Sequence, residues 1–190
     1  MPRRAWLPGH FRPAEGRLRD MPEKTIPSET ADLLETLAQS RFFLRHTVRN
    51  LTDEQAAGRT TASDLCLGGL VKHVMSMERQ WIGFIAEGSS AMGPQGDLGT
   101  DWSTGFRMLE GETLAGLLEE YEQVAGATAV FVLTLPDLDV SQPLPEAPWF
   151  PPGARWSARR VLLHLIAESA QHAGHADILR QSLDGAKSMG

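Results

Sequence analysis

The sequence predicts an all-α protein, an antiparallel four-helix bundle with long irregular connections between its second and third and between its third and fourth helices. Three observations predict it. Four long stretches carry apolar residues at three- and four-residue spacing, the mark of helices with one buried face. No stretch alternates apolar and polar residues far enough to build a sheet. The 190-residue chain is 42% hydrophobic and 22% charged, which suits one domain large enough to bury a core.

Residues 1–27 read as a flexible N-terminal arm, and residues 28–186 as the domain. The arm carries Arg3, Arg4, Arg12, Arg17 and Arg19 but lacks the apolar stretch of a secretory signal. Met21 follows, so residues 1–20 are either part of the arm or lie upstream of the start. Ser28 is expected to cap a first helix, 29–51, in which Leu33, Leu37, Leu44, Val48 and Leu51 share a face. The stretch "TDEQAAGRTTASD" holds turn and cap residues around a short helical turn, and Ser63 or Asp64 is expected to cap the second helix.

That second helix, 65–88, runs on a seam of Leu67, Leu70, Val74, Met77, Trp81 and Phe84. Gly68 and Gly69 weaken its start, which makes sense where another backbone passes close. Cys66 is the single cysteine, which excludes an internal disulfide and any CxxC metal motif; it reads as a small buried hydrophobe. The Gly- and Ser-rich connection 88–111 has the length of a functional loop. A third helix follows over 112–135, with Leu114, Leu117, Tyr121, Val124, Thr128 and Phe131 on one face, and Pro136 stops it. The Pro-rich segment 136–155 is expected to form an irregular flap rather than a sheet. Ser157 caps the fourth helix and Gly185 ends it.

A net charge of -6 argues against a nucleic-acid surface, which works by neutralising phosphates with clustered Lys and Arg. No apolar run approaches the roughly 20 residues that cross a bilayer. The expected location is cytoplasmic.

The fourth helix carries the chemistry. Steps of three and four along it give Val161, Leu165, Glu168, His172, His175 and Leu179, so three ionisable groups interrupt a stripe that is apolar at both ends. Glu168 and His172 lie about 40° apart around the axis and can converge. Buried charge is costly unless paired or bound to metal, and a plain buried Glu–His hydrogen bond is the alternative on this helix alone. His73 tips the balance: it sits beside Val74 on the core side of the second helix, where no turn or cap explains an imidazole. His73, Glu168 and His172 then form two imidazoles and a carboxylate, suited to Zn²⁺ or another divalent ion such as Ni, Fe or Mn.

The blocks "LGGLVKHVMSMERQW" and "WSARRVLLHLIAESAQHAGHADILRQSLDG" resemble the DinB-like (YfiT-like) superfamily, in its DUF664 branch, over about residues 28–186. The resemblance implies a four-helix bundle and a metal triad of one histidine on the second helix and two residues at i, i+4 on the fourth. Many members have histidine where this chain has Glu168; the mycothiol-dependent maleylpyruvate isomerase branch has glutamate there, and its pattern maps onto His73, Glu168 and His172. The implied activity is transfer involving a low-molecular-weight thiol of the mycothiol or bacillithiol type and an electrophilic substrate. A metal-dependent hydrolase and a non-catalytic metal-binding stress-response module are the competing readings.

His175 is a fourth ligand, an acid–base group or a donor to a ligand, and the non-ligand roles weigh more, with acid–base catalysis the one assigned. His164, one turn before Glu168, either orients that carboxylate or is a partly exposed helix histidine. Trp81, Met77 and Tyr121 read as core. Arg180 and Asp177 would meet a polar ligand at the site's mouth or form a surface ion pair. Leu162, Leu163, Ile166, Ala170, Ala173 and Gly174 mark the other side of the fourth helix as apolar, predicting contact with another helix, across a homodimer or within the chain.

Overall fold

The computed structural model describes residues 26–92 and 102–189; the expected arm, apart from Ile26 and Pro27, lies outside them. The helices are α1 (Ser28–Thr47), α2 (Asp53–Ala57), α3 (Leu67–Glu87), α4 (Trp102–Gly105), α5 (Leu114–Thr134) and α6 (Ala158–Asp184), with a 3₁₀ turn at Gly88–Met92. Two short strands, β1 (Ser141–Pro143) and β2 (Arg155–Ser157), complete the order. The protein is mostly helical. Among the described residues no helix is long and apolar enough to cross a membrane.

The four long helices pack in pairs: α1 lies mainly on α6, α3 contacts both α5 and α6, and α1 meets α5 more sparsely. The expected seams face inward. On α3, Leu67, Leu70, Val74, Met77, Trp81 and Phe84 are all buried, as are Leu37, Leu44 and Val48 from the first predicted helix and Leu114, Leu117 and Tyr121 on α5. Each such leucine contributes roughly 1.5–3 kcal/mol by leaving water. The apolar side of α6 is covered within the chain at Leu162 and Ala173, while Leu163, Ala170 and Gly174 stay exposed.

Local boundaries depart from the sequence reading where capping chemistry differs. α1 stops at Thr47, short of 51, because the chain turns and Asn50 adopts a left-handed φ of 58°. Ser28 is not its cap; Pro27 holds that position, with no side-chain bond. α2 is the expected short turn, with Thr52 and Gln55 closing a capping box. α3 is capped by neither Ser63 nor Asp64 but by Cys66, whose Sγ accepts from the Gly69 N–H at 3.4 Å. Cys66 is buried, as expected.

The flap also differs, since it pairs into a two-stranded antiparallel ladder with Gln142 opposite Trp156. The reason lies at the start of α6, whose first N–H groups lack helical partners. Ala158 N donates to Val140 O at 2.9 Å and Arg159 N to Leu138 O at 3.0 Å, while Arg160 N donates to the Ser157 side chain at 3.2 Å. Satisfying those donors draws the flap alongside β2. At the other end Gly185, at φ 77°, closes α6 as expected.

Candidate metal centre

His73 of α3 and Glu168 and His172 of α6 come together: each offers a ligand atom, and those atoms all lie within 4.8 Å of one another. His172 is buried, while His73 and Glu168 are half-buried. The residue types and their spacing can hold a divalent cation. Burial, then the neighbouring His172 charge, pushes the His73 imidazole down to about 4 against an opposing pull from Glu168. It is therefore neutral at pH 7, the form in which imidazole binds metal. The Glu168 carboxyl is held below its usual range by its hydrogen bond with His172, which outweighs burial, with His164 and His73 adding to the effect.

Each edge of the His172 ring has a distinct neighbour. Nε2 lies 3.5 Å from Glu168 Oε2. Nδ1 lies 3.4 Å from Nδ1 of half-buried His175. A hydrogen bond at one ring nitrogen fixes the tautomer and so the character of the other.

His164 Nδ1 stands 3.9 Å from Glu168 Oε1, too far for an orienting hydrogen bond. It instead packs edge-on against both Trp81 and Trp156, at centroid distances of 5.0 and 5.2 Å. The two indoles stack on each other at 4.6 Å, and Arg160 covers the Trp156 ring at 4.4 Å. Arg180 is not at a mouth: it is buried and donates to Thr47 O and Arg49 O at 2.7 and 2.8 Å, with Asp184, not Asp177, as its ion-pair partner.

A residue the sequence reading missed completes the wall. Phe106, just after α4, stacks on His73 with centroids 3.9 Å apart. The segment carrying it lies against the start of α3 as a strap. A Cβ at Gly69 would sit 1.9 Å from Phe106 O, and one at Gly68 2.2 Å from Met108 Sδ. Lys72 anchors the far side through Glu112 at 2.6 Å. The Gly68–Gly69 pair was the available signal; it announced a close backbone but not which one.

A comparison with protein families matches residues 32–185 to mycothiol-S-transferase. The chain belongs to the mycothiol-S-transferase family. It is a family of the DinB-like type, in keeping with the resemblance of the α3 and α6 blocks. No curated protein matches the chain. In this mycothiol-S-transferase family member, the aligned span contains His73, Glu168, His172 and His175, together with Trp81, Phe106 and Trp156 around them.

Proposed function

We propose that the protein is a metal-dependent transferase that joins a low-molecular-weight thiol, of the mycothiol or bacillithiol type, to an electrophilic small molecule. The convergence of His73, Glu168 and His172 within 4.8 Å carries the reading, and family membership supports the thiol. The three residues would hold the ion, with Zn²⁺ the first choice and Ni, Fe or Mn the alternatives. When bound, the ion supplies Lewis acidity that keeps a thiol in its thiolate form at neutral pH.

The chain's own residues do the rest. Neutral His73 and ionised Glu168 present lone pairs rather than protons. Phe106 covers the His73 ring, while Glu168 keeps 29% of its side chain open to solvent, the side from which a substrate can enter. In the transfer the thiol's proton passes to a base, its sulfur bonds to the electrophilic carbon, and the electron pair displaced from that carbon takes up the same proton. We assign that proton to His175, at Nε2, because Nδ1 faces His172. The pairing of α1, α3, α5 and α6 supports an antiparallel four-helix bundle as the domain over 28–186. A cytoplasmic location and a homodimer using exposed Leu163, Ala170 and Gly174 belong to the same reading.

The test uses untagged protein substituted with Co²⁺ and titrated with mycothiol, then a panel of electrophiles. A thiol-dependent change in visible absorption and conjugates detected by mass spectrometry are expected, both lost in His172→Ala. Metal content far below one equivalent, or no thiol response and no turnover, overturns the reading.

A further inference from the structure

A cleft of about 720 Å³ opens where α1 and α5 pack most sparsely, lined by Arg41, Phe42, Arg45, His46, Arg49, Leu118 and Glu122 among others. Its size falls within the roughly 300–1,000 Å³ of small-molecule sites. None of its lining residues belongs to the metal group. We propose that this cleft is a second ligand site that takes a small organic anion, its carboxylate or phosphate on Arg41, Arg45 and Arg49 and its flat apolar body against Phe42 and Leu118.

Arg41, Arg45 and Arg49 recur at every fourth position, so they stack along one face of α1 and the turn after it. Like charges at that spacing destabilise a helix, a cost that a bound anion offsets. Arg41 and Arg45 pair with Glu78 and Glu122, and Arg49 is near enough to Asp184, the ion-pair partner of Arg180, to help hold its carboxyl down, so four guanidiniums share three carboxylates in a chain whose net charge is -6. Buried Arg41 is fixed by Glu78, with Nε donating to Oε2 at 2.9 Å, so it needs little ordering when a ligand arrives. Arg45 and Glu122 form an exposed pair, 42% and 63% accessible, and an incoming anion displaces Glu122 cheaply.

The carbonyls at the end of α1 would repel an anion if left bare. The last two are covered: Arg180 donates to Thr47 O and Arg49 to His46 O, each at 2.7 Å, and Arg180 also reaches Arg49 O beyond the helix at 2.8 Å. Arg49 also reaches Lys187 O at 3.4 Å. Phe42 is 56% exposed and stacks on His46 with centroids 5.4 Å apart, giving the cleft a flat aromatic wall.

Calorimetric titration of the full-length protein with phenyl phosphate, benzoate, inorganic phosphate and benzyl alcohol tests the proposal. Both organic anions are expected to bind, more weakly as salt rises, with inorganic phosphate weaker still and benzyl alcohol silent. Arg45→Met and Arg49→Met should each weaken phenyl phosphate binding roughly tenfold, and Arg45→Lys should retain part of it. His172→Ala, which strips the metal group of a donor, should leave binding unchanged. Absence of binding by the organic anions, indifference to both methionine variants, or loss of binding in His172→Ala overturns the proposal. Inorganic phosphate binding as tightly as phenyl phosphate overturns its organic part.

Discussion

Glu78 is only 1% exposed, yet its carboxylate is saturated: Arg41 holds both oxygens and the Thr128 hydroxyl donates to Oε1 at 2.6 Å. Neither Arg41 nor Glu78 stood out in the sequence, because a single charged residue inside an apolar helix face looks the same whether it is paired or turned to water. Breaking such a pair strands the other charge in low dielectric. Glu78→Ala is expected to cost about 3–5 kcal/mol, seen as a fall in the urea midpoint at unchanged slope; a loss under about 1 kcal/mol would show Arg41 reaching solvent instead. At the metal group the residue types were legible by contrast. Histidine and glutamate on a stripe that is apolar above and below have few other reasons to be there. What the stripe could not separate was His175 from His172; the ligand atoms that converge are those of His73, Glu168 and His172, with His175 Nδ1 lying 3.4 Å from His172 Nδ1.

The elements around the site act as supports. The strap at Phe106 rests on α3 through Gly69, where an added Cβ would meet backbone at 1.9 Å, whereas at Gly68 the clash is with the flexible Met108 side chain and backbone comes no nearer than Ala56 O at 3.4 Å. Gly69→Ala is therefore expected to cost about 1–3 kcal/mol and to weaken metal retention, as Phe106 leaves the His73 ring; Gly68→Ala should be milder in both. Melting temperature and metal content measured side by side check this, and two indistinguishable variants would remove the strap from the account. At the end of α6, buried Arg180 ties α6 to the end of α1, and Asp184 ties down Arg180. The Arg180 guanidinium holds the Asp184 carboxyl below its usual range, with the Ala186 N–H assisting. A depressed carboxyl stabilises the fold above its unfolded value and loses that contribution as pH falls. Asp184→Asn should thus melt below the parent at pH 7, with the gap closing as pH drops below about 4.

Across the whole molecule, α3 and α6 each supply part of the metal group, so an ion bound there links two helices that are distant in the chain. Binding to the folded state alone adds stability by mass action, about 2.7 kcal/mol at a hundredfold excess over Kd. Chelation should lower the melting temperature by roughly 5–10 °C and Zn²⁺ restore it; a melting curve indifferent to both would leave the three residues as a plain buried hydrogen-bonded cluster. Much of this design is local and so could be read from the chain. Helix seams, the Ser157 and Gly185 ends of α6 and the i, i+4 placement of Glu168 and His172 all follow from periodicity and capping over a few residues. Contacts between segments far apart in sequence follow no such rule. That Phe106 covers His73, that the flap meets the first turn of α6 as a strand, and that Arg41 finds Glu78 were decided by which surfaces could pack and which donors still lacked partners once the long helices were in place.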